Sequence, residues 1–437
     1  MRQRPCRRWL PLLLAVLVAA CAHTEKTNAP EAGPDPDRQA RQRAGFDLVP
    51  PAPDVRTIQV YLTGDERNLP VVTLGTNETI TLAFDLLETA GRPLSVYFYH
   101  ADRTWRRDLS PAEYLDSFQR DDLLDYQPSQ GTDVPYVHYQ YQFPNRTIDF
   151  RVSGNYIVRV TEQGMEEDVL FERTFFVSEQ VAPLDVGLEN VLLSGQGYSA
   201  VQPVIRFTPP PVLQGNAFNY TACFVRNGRF EAARCTDRPM LAEQPALQFY
   251  LPPEAAFETE VVDHFVDLGA LRVGGRIERI DRTTSPYRAY LEPDYARFGG
   301  TGLDPLLNGQ IVVEAAVRGV AAPAVQAEYV ETHFAYVPPD ELPVSGDVFL
   351  SGSFNGWRTT PADRLEWVPE RRRYEGAVLL KQGQYEYRYL VAQGRRVRPA
   401  TTGAAPRLEN LYSTFVYYRD LTLNTDRLVA VNHVRAR

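Results

Sequence analysis

The chain has 437 residues, a formal net charge of −9 and 11 % aromatic residues. An acidic chain with no basic cluster excludes nucleic acid as the expected partner, and only two of its 46 basic residues are lysines, Lys26 and Lys381. Six scattered histidines (His23, His100, His138, His264, His333, His433), without helical i, i+4 spacing or a CxxC partner, predict neither a catalytic metal nor a cofactor.

The first twenty residues run from a cationic stretch (Arg2, Arg4, Arg7, Arg8) through an apolar run, Trp9 to Val18, to small residues before Cys21. That order predicts a secretory signal peptide over 1–20. The apolar run is about half the length a membrane-spanning helix needs. Val18-Ala19-Ala20-Cys21 resembles the bacterial lipobox, which implies acylation of Cys21 and a lipid anchor in a membrane. Residues 21–49 read as a flexible tether, rich in Pro, Ala, Gly and charge, with no acidic cluster directly after Cys21. A body facing the periplasm from the outer membrane is therefore expected.

Beyond the tether about 390 residues remain, enough for two or three domains. Period-two runs such as Thr57–Leu62, Thr79–Phe84, Tyr136–Phe143 and Tyr156–Val160 are strand signals, and helical periodicity is brief, near Pro111–Phe118. The fold class expected is all-β: three consecutive antiparallel, immunoglobulin-like β-sandwich domains. Proline-rich breaks at Val181-Ala-Pro183 and Val337–Pro343 place them at 50–180, 181–337 and 343–437. With Cys6 in the signal and Cys21 as anchor, Cys223 and Cys235 are left as a disulfide pair flanking an Asn227-Gly228 turn. A two-residue turn would set residue 232 opposite Cys223, so the bridge requires a bulge or a wider loop.

No GxSxG elbow, Walker loop or strand-embedded GxGxxG is present, although the paired carboxylates of a glycosidase would leave no local signature. Asp263 and His264 suggest part of a triad, but neighbours on a strand point to opposite faces. Val348–Trp357, Tyr374–Leu380 and Gly383–Leu390 resemble the glycogen-binding type of carbohydrate-binding module. The resemblance implies Trp357 as a stacking platform and Arg388 as a sugar contact. A second stacking aromatic is missing from Gln393–Val397, so two readings stand: Trp357 packs in a core or edge, or it binds glycan.

Read in order, further strings resemble the plug protein of the bacterial type IX secretion system. In the first block these are Ile58–Gly64, Tyr97–Trp105, Leu109–Phe118, Tyr139–Asn145 and Ser153–Tyr156. Later come Leu380–Tyr385, Glu409–Tyr412, Val416–Arg419 and Asp426–Leu428, with a looser match over Arg282–Tyr290. The resemblance implies a non-enzymatic periplasmic subunit that seals the large outer-membrane β-barrel translocon when no substrate occupies it. The lipid signal departs from the plain signal peptide often found in that family. The competing expectation is a glycan-binding outer-membrane lipoprotein acting through its C-terminal domain.

Overall fold

In the strand Val137–Phe143, Val137, Tyr139 and Phe143 point into a core while the residues between them stay more open, the alternation of a half-buried strand. Its neighbour Ile80–Leu86 is buried at every position, and so is Leu94–Ala101. Full burial of an antiparallel strand requires cover on both faces. That cover comes from later parts of the chain, as described below. The computed structural model describes residues 48–436 apart from 193–198, 215, 242–244, 260–262, 298–304, 395 and 402–408. The expected signal peptide, Cys21 and nearly all of the tether lie outside the described residues. Leu48 and Val49, expected at the end of the tether, are docked on the body. Leu48 is buried, and the Val49 amide donates to Glu172 Oε2 at 3.0 Å.

The fold is all-β, as expected, and pairs off as sandwiches. Two four-residue helices, Pro111–Tyr114 and Pro323–Gln326, are the α-helices among the described residues. The first carries a capping box from Ser110 and Glu113, so the brief helical signal is a single capped turn. The first sandwich packs the sheet Val55–Leu62, Ile80–Leu86, Val137–Phe143, Tyr126–Pro128 against the sheet Val71–Thr73, Val169–Ser178, Gly154–Glu162, Leu94–Ala101, Arg120–Leu123. Between them lies an aromatic core in which Phe98 meets Phe143 at 4.8 Å and Phe150 at 5.8 Å, edge to face. Most pairs are antiparallel. Val71–Thr73 with Val169–Ser178, and Arg288–Leu291 and Asp294–Tyr295 with Tyr329–Val337, are parallel.

After residue 180 the pairing departs from the expected order. The strand Tyr220–Arg226 pairs along seven residues with Asn410–Asp420, which pairs in turn with Thr425–Ala436. That sheet closes over Asp185–Leu192, Ser199–Phe207, Leu247–Tyr250 and Met240–Leu241 around a shared core of Phe207, Tyr220, Phe249 and Val416. The strands from His264 to Pro399 form a further sandwich between these two stretches of chain. The proline-rich break at 337–343 is therefore no boundary between sandwiches: Tyr329–Val337, before it, pairs over eight residues with Arg373–Lys381, after it. Proline marks where a strand ends, not which strand it pairs with.

In the second sandwich, Asn227 (φ 51°) and Gly228 (φ 65°) make the tight turn. A Cβ on Gly228 would come within 1.9 Å of the Asn308 carbonyl oxygen, so the approach of the inserted sandwich also requires glycine there. A short 3-10 turn, Phe230–Ala232, widens the loop and brings Cys235 into register opposite Cys223, with the sulfurs 2.00 Å apart. The described residues lie in one compact unit, Pro36–Arg437.

Candidate functional site

Asp85 sits on the outward face of Ile80–Leu86, where an isolated strand would meet water. Here the Lys381 ammonium donates to Asp85 Oδ2 at 2.7 Å and to the Ala324 carbonyl at 2.6 Å, and both side chains are fully buried. Tyr329 donates its hydroxyl to the same Oδ2 at 2.7 Å, and His138 Nδ1 lies 2.7 Å from Oδ1. The ammonium also stands 4.1 Å from the centroid of the Tyr136 ring. Burial alone would raise the Asp85 carboxyl. Lys381 and His138 outweigh it and hold the group below the ordinary carboxylate range. Lys381 itself is pulled down by burial against the opposing pull of Asp85. Asp85 belongs to the first sandwich, Lys381 and Tyr329 to the inserted one. The compact lysine head fits a site bounded by two tyrosine rings, where a planar guanidinium would need more room.

A second joint ties the first sandwich to the C-terminal hairpin. His100 Nδ1 lies 2.8 Å from Asp108 Oδ1, and Asp108 also accepts from the Thr425 hydroxyl. The Arg103 amide donates to Asp426 Oδ2 at 3.2 Å, and Tyr417 donates to Asn155 Oδ1 at 2.7 Å. Arg427 forks onto Glu179 through Nε at 2.8 Å and Nη2 at 2.7 Å, the bidentate geometry that fixes orientation as well as charge. Beneath these polar contacts, Phe176 packs between Phe230 and Phe415 at 4.8 and 4.7 Å, with Trp105 at 5.4 Å. This cluster covers the outer faces of Tyr97, Tyr99 and Ala101 and explains why their strand is buried on both sides.

A third joint sets the inserted sandwich against the edge strand Val55–Leu62 and the loop after it. Gln59 donates to the Ile311 carbonyl at 2.9 Å, Asn308 to the Arg67 carbonyl at 2.7 Å, and the Val313 amide to Glu66 at 2.9 Å.

Trp357 falls among these contacts and not on an open face. It is 9 % exposed, donates Nε1 to the Gly309 carbonyl at 3.1 Å, and carries the Arg229 guanidinium 3.5 Å above its ring. Arg388 is held by Asp263, with Nε to Oδ1 at 2.6 Å, and burial and then Arg229 pull its pKa down. Neither residue presents the free surface that a sugar ring stacks upon. Of the two readings of Trp357, packing is the geometry found, and the resemblance to a glycogen-binding module does not extend to a platform.

Asp263 and His264 point apart: Asp263 holds Arg388, whereas His264 Nδ1 lies 3.0 Å from Asp294 Oδ1. Asp294 also accepts from Tyr387 at 2.8 Å, from Tyr389 at 2.9 Å, and from Arg276. Burial would raise this carboxyl, but His264 and Arg276 lower it to about 2. The group is buried and satisfied by these partners, so it is a core network. A cleft beside Pro183–Asp185 and Arg206–Thr208 offers one carboxylate, Asp185, and not the facing pair glycoside hydrolysis uses. Among the described residues no helix is long and apolar enough to cross a membrane, and no cluster of His, Cys, Asp or Glu is arranged to hold a metal ion.

Replacing Lys381 with Met leaves Asp85 buried beside His138 and Tyr329 without its cation. A loss of about 3–5 kcal/mol is expected on chemical denaturation, and the double replacement Asp85→Leu with Lys381→Met recovers much of it. An unchanged unfolding midpoint for Lys381→Met contradicts the joint. The lowered Asp294 pKa has a defined sign. A depressed carboxyl contributes stability above its unfolded value near 4 and loses it as the pH falls toward about 2. Over that window the wild type is expected to lose about 2 kcal/mol that Asp294→Asn does not lose, measured by urea titration at stepped pH.

Residues 55–179 match the family described as type 9 secretion system plug protein 1st domain. No curated protein matches the chain. Among solved structures it is similar to a hypothetical protein from Parabacteroides merdae ATCC 43184, determined by crystallography at 2.30 Å. The TM-score is 0.77 and the identity 26 %, over 89 % of this chain and 99 % of that one. Asp85, Asp108 and Glu179, the carboxylates that receive Lys381, Thr425 and Arg427, all fall within the matched residues. The first sandwich of this chain, residues 55–179, is thus similar to the first domain of the type 9 secretion system plug protein.

Proposed function

We propose that the chain is a non-catalytic subunit of the type 9 secretion machinery that seals its large outer-membrane β-barrel while no substrate is passing. The family match over 55–179 carries this reading. The three joints support it, because a seal must resist deformation as one body. Sandwiches joined by a swinging linker would yield, whereas these are held by buried ion pairs, a bidentate arginine and an aromatic cluster. The chemistry of sealing asks for no nucleophile, metal or cofactor.

In this reading the body faces the periplasm, with Cys21 acylated in the outer membrane. A flexible tether of about twenty-five residues lets the body range about 25–30 Å from its anchor by chain scaling. The lipid raises the local concentration of the seal at the pore without adding a contact. The division of labour proposed within the chain is nested: the first sandwich over 50–180, the second from 181 completed by the C-terminal hairpin, and the third inserted between. The glycan-binding reading gains nothing from Trp357, whose ring is occupied by Arg229.

Affinity purification of the tagged chain from detergent-solubilised outer membrane tests the proposal. A very large β-barrel protein is expected to co-purify. Recovery of soluble envelope proteins alone contradicts it.

A further inference from the structure

A strand at the end of a sheet exposes a row of unpaired N–H and C=O groups, and folded proteins blunt such edges by shortening, bulging, charging or covering them. Three strands of eight residues or more end a sheet here: Val55–Leu62, Asp185–Leu192 and Thr425–Ala436. The first is bulged between Arg56 and Gln59, and the third joint covers it. The last is capped by the linker after the first sandwich: the Glu179 and Val181 amides donate to the Leu428 and Val429 carbonyls, each at 2.9 Å. Among the described residues Asp185–Leu192 has neither protection. It pairs in unbroken register with Ser199–Phe207, and among the described residues no other strand pairs with it. Its sequence DVGLENVL contains no proline, lysine or arginine, and five of its eight positions are exposed.

We propose that this free edge takes up an extended segment of another polypeptide whose residues alternate between apolar and basic. Main-chain pairing supplies the affinity in such an addition, and alternate side chains supply the selection. On the core side the strand shows Val186, Leu188 and Leu192, the last 80 % exposed, interrupted by Asn190, and apolar residues of the incoming strand correspond to the three apolar positions. On the outer side stand Asp185 and Glu189. Asp185 lies opposite Arg206 in register, whereas Glu189 lies opposite Gln202, whose amide is turned to the Leu251 carbonyl. Glu189 is thus the carboxylate placed to meet a basic residue on a newly added strand.

The test uses the full mature chain and fluorescein-labelled octapeptides in fluorescence anisotropy. An alternating Val-Lys peptide is expected to bind at least tenfold more tightly than the Val-Glu peptide. N-methylation of alternate peptide amides on one edge should abolish binding, and on the other edge leave it. Glu189→Lys, on an exposed position, is expected to weaken the Val-Lys peptide about tenfold with an unchanged unfolding midpoint. Equal binding of the two peptides, or indifference to N-methylation on both edges, overturns the proposal. So does sedimentation of the chain as a dimer that Glu189→Lys converts to monomer, since the occupant would then be a second copy.

Discussion

A carboxylate and an ammonium withdrawn from water cost several kcal/mol each unless they find one another in good geometry. Asp85 and Lys381 come from positions 296 residues apart in sequence, so neither is tolerable until the first and the inserted sandwiches are both folded and docked. The remaining contacts of the joint depend on that pairing. Tyr329 donates to Asp85, His138 is oriented by its other oxygen, and the Ala324 carbonyl receives the second lysine hydrogen bond. A buried pair of this kind adds little net stability over an apolar replacement, but it tolerates few alternative dockings. That is what a body needs when its outline, more than its chemistry, is its function.

The order of strands works in the same direction. The chain enters the second sandwich after residue 180, leaves it to build the inserted one, and completes it with the hairpin Asn410–Ala436. The hairpin then reaches back to the first sandwich through Asp426, Arg427 and Phe415. Each sandwich is therefore held at more than one point along the sequence. Relative motion of two sandwiches would break the hydrogen bonds and ion pairs of the joints or expose the Phe176 cluster, not merely bend a linker.

Much of the local structure was legible in the sequence, and little of its assembly. Alternation in Tyr136–Phe143 and the absence of helical period marked the sandwiches. The Asn227-Gly228 turn marked its hairpin, and the two cysteines marked a pair whose wider loop is supplied by Phe230–Ala232. The partner of Tyr220–Arg226 could not be read, because it lies at 410–420 and strand period says nothing of distance along the chain. Trp357 shows the same limit: the arginine that occupies its face comes from position 229. One further signal lies in the composition. Lys381 is the only lysine after Lys26 in an arginine-rich chain, and it lies inside a string that resembles the plug family. The uninterrupted burial of Ile80–Leu86 was likewise encoded in a largely apolar run whose one charged residue is Asp85, a residue that a core-facing strand accommodates only beside a cation.

In the proposed function this body closes an envelope pore as one locked unit. The most direct measurement is the entry of a bulky hydrophilic antibiotic into cells that make, lack or alter the chain. Removing the chain is expected to admit the antibiotic, wild type to restore the barrier, and Lys381→Met at matched abundance to restore it incompletely. A barrier that stays intact without the chain would contradict the account.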